Sequence, residues 1–313
     1  MQLILAKPRG VCAGVARAVE IVERALERFG TPLYVRREIV HNSYTVQRLR
    51  EQGVVFVEEL HEVPRGATVV FSAHGVSPAV KAEAGARGLH AIDATCPLVT
   101  KVHREVLRYA DKGCQLILIG HQGHDEVLGT MGHAPGSVTL VQNVQDAKSV
   151  NLPAGMLVVL TQTTLSVDDT REIMAALRQR FPHLATPKAT DVCFATQNRQ
   201  DAVKALCDAS VDLLLVVGSE NSSNSQRLVE VAERRGIEAH LVDNAEDVDT
   251  AWLKGKARVG LSAGASSPEV LVEKLVQRLE ALGVQSVETL ETMREDVVFA
   301  LPRELREEDV TAR

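Results

Sequence analysis

The chain of 313 residues is too long for one ordinary hydrophobic core, so its length predicts two or three domains. With 45% apolar and 24% charged residues it has the composition of a soluble globular protein, and its net charge of −6 gives no reason to expect nucleic acid or an anionic membrane as partner. The longest apolar runs, such as Leu213–Val217, are strand-sized and too short for a bilayer, and the five cysteines, without close pairing, do not form the framework of a secreted disulfide protein.

The opening "QLIL" reads as a strand and not as part of a targeting peptide, which points to the cytoplasm. From there the sequence repeats itself. Strand-like "LILAKPRGVC" leads into a helical pattern at "AGVARAVEIVERALERF". In the same way "LHAIDATC" leads into "PLVTKVHREVLRYADK", and "ATDVC" into "FATQNRQDAVKALCDA". Each time a cysteine (Cys12, Cys96, Cys193) closes an extended segment and opens a helix, at domain-sized intervals. A strand ending in a polar loop follows each helix: Leu33–Ser43, Gln115–Val127 and Leu213–Ser225. A second strand–polar loop pair comes after it: Thr68–Pro78, Met156–Ser166 and Arg258–Pro268. Short strands "VVFV", "VTLV" and "EAHLV" lie between.

Strands alternating with helices predict right-handed βαβ units and parallel sheets covered on both faces. The pattern gives about four strands and three helices to each of three repeats, at 13–96, 97–193 and 194–313. Strand Leu3–Leu5 has no repeat before it, so residues 1–12 are expected to complete the third. The fold class is then α/β, with three pseudo-threefold-related domains of small parallel sheets. Functional loops of such sheets lie at the carboxyl ends of the strands. Both the cysteines and the six polar loops lie there, which predicts one central cavity. The closing "REEDVTAR" reads as a polar, disordered tail.

A thiol at a helix N-terminus sits at the positive end of the macrodipole, which favours the thiolate. Three such thiolates on one axis point to a metal centre, with zinc or plain packing as alternatives. Structural zinc takes four ligands with close pairs such as C-x-x-C, a spacing missing here. An iron–sulfur cluster on three cysteines leaves one iron open to substrate. Cys114 and Cys207 lack the motif and read as core.

The polar loops carry His41, Asn42, His74, His124, Glu126, Thr163, Thr164, Ser222, Ser223, Asn224 and Ser266. Several precede helices, so backbone N–H groups would join imidazole, hydroxyl and amide donors in a set suited to phosphate or diphosphate. Neither G-x-x-x-x-G-K-[ST] nor G-x-G-x-x-G occurs, which argues against a nucleotide. Each loop alone has a plainer reading. "NSSNS" is an ordinary capping sequence. "HQGHDE" would also serve as a zinc site or solvated turn, with His121 structural. Thr163–Thr164 would cap the next helix, and His103 reads as a packing or surface histidine. Equivalent placement in three repeats is what joins the loops into one site.

Taken in order, "PRGVCAGVARA", "DATCPLVTKVH", "GHQGHDEVLGTMG", "TQTTLS", "DVCFATQNRQ", "GSENSSNSQRL" and "SAGASSP" resemble the successive motifs of the LytB-type family of 4-hydroxy-3-methylbut-2-enyl diphosphate reductases. The resemblance runs from Lys7 to about Pro268, and "VVFALPREL" resembles the family's closing segment. It implies reductive removal of an allylic hydroxyl to give isopentenyl and dimethylallyl diphosphates, the last step of the non-mevalonate isoprenoid route. It also implies a [4Fe–4S] cluster on Cys12, Cys96 and Cys193 with one open iron. His41, His74, Ser222, Asn224 and Ser266 would grip the diphosphate, with His124 beside it and Ser223 as an additional contact. Glu126 would supply protons, and Thr163 would hydrogen-bond the substrate hydroxyl. Nothing in the sequence binds flavin or nicotinamide, so electrons are expected from a separate carrier such as ferredoxin or flavodoxin, and the chain is expected to be a monomer. Two rivals make different demands. A cluster-dependent hydratase of carboxylic acids would bring arginines to these loops, and an iron–sulfur sensor would need neither Glu126 nor Thr163.

Overall fold

The computed structural model describes residues 1–153, 155–187 and 190–306. Strand β1 (Gln2–Lys7) runs through "PRGVC" into α1 (Ala13–Phe29), whose buried Gly14, Ala18, Ile21, Val22 and Ala25 recur at helical spacing and form one apolar stripe. Next come β2 (Leu33–Arg36), α2 (Ser43–Glu51), β3 (Val54–Val57), β4 (Thr68–Phe71), α3 (Pro78–Ala86) and β5 (His90–Asp93). They build a parallel four-stranded sheet in the order β3-β2-β4-β5.

The second stretch contains α4 (Pro97–Ala110), β6 (Gln115–Ile119), α5 (Asp125–Met131), β7 (Val138–Val141), α6 (Val144–Ser149), β8 (Leu157–Thr161) and α7 (Val167–Arg180). Its parallel sheet has three strands among the described residues, in the order β7-β6-β8. The third contains α8 (Phe194–Asp208), β9 (Leu213–Val217), α9 (Ser223–Glu233), β10 (Glu238–Val242), β11 (Arg258–Ala263), α10 (Glu269–Ala281) and β12 (Ser286–Glu291). As expected, β1 joins this sheet, which is parallel throughout and ordered β10-β9-β11-β1-β12.

Two details differ from the sequence reading. Among the described residues, the segment before Cys193 forms no strand. In its place stands a lone parallel bridge between Ala185 and Val158, and the Asp191 carboxylate accepts the Thr161 N–H at 3.2 Å. A side chain therefore satisfies a donor at the end of β8, where a further strand would have offered a carbonyl. Strand β12, in turn, was not anticipated. Most of its residues are exposed, so this edge strand has no apolar alternation to reveal it. Residues 307–313, most of the expected polar tail, lie outside the described residues.

The chain forms two compact units. One contains Met1–Ala13, His41–Thr45 and Phe194–Val297, and the other Gly14–Val40, Val46–Cys193 and the segment from Val298. In the first, the central strands β9, β11 and β1 of the five-stranded sheet are buried on both faces. Leu3, Leu213, Leu215 and Leu261 pack under Leu271, Leu275 and Leu279 of α10, while Ile4, Leu214 and Val216 pack under Val203 and Leu206 of α8 and Leu228 of α9. Such strands read as continuous apolar runs. In the second unit, Val35, Val70 and Ile92 pack against Ile21 and Val22 of α1, and Leu116, Leu118 and Val158 against Val106 of α4 and Val127 of α5. No helix among the described residues is long and apolar enough to cross a membrane.

Candidate active site

Each of the three motif cysteines immediately precedes a helix: Cys12 before α1, Cys96 as the residue capping α4, Cys193 before α8. All three are half-buried, and no disulfide joins the five cysteines. Their backbones are anchored alike. The N–H of Cys12 donates to Ala265 O at 3.0 Å, that of Cys96 to Ala73 O at 3.0 Å, and that of Cys193 to Thr163 O at 2.9 Å. The acceptor lies each time just past the end of a strand (β11, β4 and β8). Cys114 is buried in the core between α4 and β6, as expected. Cys207 packs at the edge of another core, where burial pushes its thiol pKa up, the wrong direction for a metal ligand.

The larger unit brings Glu126 and Thr163 together. Helix α5 opens with His124 as its N-cap, and Glu126 follows in the first turn. The carboxylate of Glu126, 2% exposed, accepts the Thr163 N–H at 2.7 Å on Oε1 and the Thr163 hydroxyl at 2.8 Å on Oε2. Burial raises its pKa to about 7, against the lowering effect of the two Thr163 hydrogen bonds and with a further rise from the charge of Asp191. Such a carboxyl can give and take a proton near neutrality. Thr163 does not cap α7, a task that falls to Ser166. Thr164 instead accepts from Gln162 at 2.9 Å, whose own amide oxygen accepts the His121 N–H.

His124 Nδ1 accepts the Glu126 N–H at 3.1 Å, which puts the proton of the neutral ring on Nε2. The His74 and His124 rings meet edge to face with centroids 5.7 Å apart. Asp125 and Arg37 complete this corner, and neither was singled out from the sequence. They form an ion pair, and Asp125 Oδ2 stands 3.9 Å from His74 Nδ1. The only sequence signal was the acidic pair in "HQGHDE". His103 is a packing residue: buried, stacked on His133 at 4.0 Å.

In the other unit the polar loops form a second cluster. Ser222 is the N-cap of α9, and its Oγ lies 3.5 Å from Ser266 Oγ, while Ser266 Oγ donates to His41 O at 2.8 Å. Asn224 Oδ1 accepts the Ala265 N–H at 2.8 Å, leaving its Nδ2 buried and without a partner among the described residues. Asn42 is similar: Oδ1 accepts from the N–H and the hydroxyl of Thr45, and Nδ2 is buried without a partner. Buried amide donors left in this state are costly unless an acceptor joins them, which is the fit expected of a phosphate oxygen. Ser223 is half-buried at the first position of α9. The loops can approach because Gly218 and Gly264 have no side chain. A Cβ at either would lie 2.2 or 2.0 Å from Ser225 Oγ.

The sequence matches the LytB protein family over residues 3–280. A protein of Aromatoleum aromaticum named 4-hydroxy-3-methylbut-2-enyl diphosphate reductase is 57% identical over 309 residues, 98% of this chain and 99% of that protein. One of Bordetella pertussis with the same name is 56% identical over 97% of this chain and 94% of that protein. The solved structure of an E-1-hydroxy-2-methyl-but-2-enyl-4-diphosphate reductase from Plasmodium falciparum is similar with a TM-score of 0.94 at 39% identity, covering 97% of this chain and 96% of that one. The chain belongs to the LytB family.

Proposed function

We propose that the chain is a 4-hydroxy-3-methylbut-2-enyl diphosphate reductase, replacing the allylic hydroxyl of its substrate with hydrogen to give isopentenyl and dimethylallyl diphosphates. The observation that carries this reading is the buried Glu126–Thr163 pair, a carboxyl poised near neutrality and tied to a hydroxyl. The overall change takes two electrons and two protons, and the lost oxygen leaves as water. Cys12, Cys96 and Cys193 would hold a [4Fe–4S] cluster, a role supported by their equal anchoring and their helix N-termini. When bound, such a cluster supplies electrons and a Lewis-acidic iron.

The chain's own residues do the rest. His41, His74, Ser222, Asn224 and Ser266 bind the diphosphate, with His124 and Ser223 adding contacts. Thr163 holds the substrate hydroxyl, and Glu126 delivers the proton that turns a poor leaving group into water. The reading includes three α/β repeats, at 13–96, 97–193 and 194–313 with residues 1–12, and a monomer fed by a carrier such as ferredoxin or flavodoxin.

The test is anaerobic turnover. Cluster-loaded protein mixed with reduced viologen and the hydroxylated diphosphate should oxidise dye in step with formation of both products. Loaded protein that leaves this substrate intact would overturn the proposal.

A further inference from the structure

The cysteine segments share a second device, made by cations. Arg17 lies in the second turn of α1, the helix that Cys12 opens. Its Nη1 donates to Ala94 O at 3.3 Å and to Thr95 O at 3.1 Å, the two carbonyls just before Cys96, and its Nε donates to Ala300 O at 2.8 Å. Lys101 holds the matching place in α4, the helix that Cys96 opens. Its Nζ donates to Thr190 O at 2.8 Å and to Asp191 Oδ1 at 2.9 Å, just before Cys193. Arg199 lies in the second turn of α8, which Cys193 opens, and its Nε donates to Gly10 O at 2.8 Å, just before Cys12.

None of these contacts is local: they span 78, 89 and 189 residues of chain. The carbonyls they reach belong to irregular backbone that no sheet ladder satisfies. The cations are also held in place themselves. Arg199 is 1% exposed and further bound to Ala195 O and to Glu295. Lys101 pairs with the buried Asp191 and faces Glu105 at 3.9 Å. Burying a charge as deeply as Arg199 is expensive unless every partner is placed, and the half-exposed Arg17 and Lys101 repeat its arrangement, which points to a shared task.

We propose that Arg17, Lys101 and Arg199 are positioning residues for the metal ligands, each helix clamping the backbone that presents the next cysteine, in cyclic order. The proposal rests on the reading of Cys12, Cys96 and Cys193 as cluster ligands. Outer partners of metal ligands commonly change metal affinity 10–100-fold when removed. Arg17 also adds a charge. Its guanidinium donates to the carbonyl of Thr95, the residue just before Cys96, which places the cation beside the backbone of that ligand. A positive charge there favours the reduced, more negative form of a bound cluster.

The experiment compares anaerobically reconstituted wild type with Arg17→Gln, Lys101→Met and Arg199→Gln, and with the conservative Arg17→Lys and Lys101→Arg. Circular dichroism and thermal melting report the fold, a ferrous chelator the rate of iron loss, and a spectroscopic redox titration the potential. Folded Arg17→Gln and Lys101→Met should lose iron about tenfold faster or more. Arg17→Gln should shift the potential to more negative values, Arg17→Lys should restore it, and Lys101→Arg should restore iron retention. Folded variants with iron loss within about twofold of wild type and an unmoved potential would overturn the proposal. Arg199 is fully buried, so if Arg199→Gln does not fold, the half-exposed Lys101 and Arg17 decide. A wild type that binds no cluster would defeat the functional reading and this inference with it, whereas a stable cluster indifferent to all three changes would defeat the inference alone.

Discussion

Glu126 has a pKa near 7 because it is buried, and two outcomes follow. In the proposed role of proton donor it would act in the transition state, so Glu126→Gln should lower turnover by about 10²–10⁴ with little change in KM. Steady-state dye oxidation measures this, and near-normal turnover would exclude the role. The second outcome concerns stability. The folded pKa lies above the ordinary 4.5, so the native state binds this proton more tightly than the unfolded chain does. The resulting stability is complete below pH 4.5 and is lost as the pH rises through about 7. Melting curves should therefore show Glu126→Gln gaining on wild type between pH 5 and about pH 8. A gap that stays constant would contradict the assigned environment. At the other cluster, Asn224→Ala removes a buried donor and should weaken competition by pyrophosphate by about 1–3 kcal/mol, read from inhibition constants. Glu126 and Thr163 could be picked out because each stands in a polar stretch shortly after a strand, Glu126 in the first turn of α5 and Thr163 just past β8. Arg37 with Asp125 was not, since nothing local in the sequence joins positions so far apart.

The loop after β4 shows how an element constrains a candidate site residue. Gly75, next to His74, has φ +82, and a Cβ there would lie 2.6 Å from His103 Cε1 and 3.1 Å from Thr95 Cγ2. The His103 ring is held neutral, its pKa lowered to about 3 by burial and then by neighbouring His133 and Lys81, so it is a fixed surface under the loop. Gly75→Ala should cost about 1–3 kcal/mol in urea unfolding, from the clash and the left-handed backbone together. Adding His103→Ala should return only part of this, because the backbone strain stays. Full recovery, or none, would show that one of the two causes is absent. Elements of this kind were legible where periodicity was strong. The strands "VVFV", "VTLV" and "EAHLV" are β3, β7 and β10, and α1 spans the stretch read as helical. Exposed β12 was hidden because an edge strand needs no apolar face. The segment before Cys193 misled because its partner at β8 is a carboxylate, a contact that strand patterning does not encode.

Over the whole molecule, the threefold repeat made the three sheets legible, as well as the placing of β1 in the last of them. The grouping of His41–Thr45 with that sheet was not. It depends on distant polar contacts: the Ser43 N–H donates to Ser219 Oγ and the Ser43 hydroxyl to Asp243, and Ser266 donates to His41 O. Strand β1 lies between β11 and β12, so removing residues 1–7 should split the five-stranded sheet. The truncated chain should be insoluble or lack a cooperative melt, and a soluble product melting like wild type would show β1 to be dispensable. The same strand links the fold to the order of protein synthesis. Leu3 and Leu5 leave the ribosome well before their neighbours Val259, Leu261, Val287 and Thr289 are made. At about 5–20 residues per second, the wait is roughly 10–50 s. During that time an apolar segment has neither of its neighbours and is open to chaperones, proteases and other nascent chains. A strand translated before every other strand of its sheet can thus be seated only after β11 and β12 have been made, so its seating waits on the far side of the sequence.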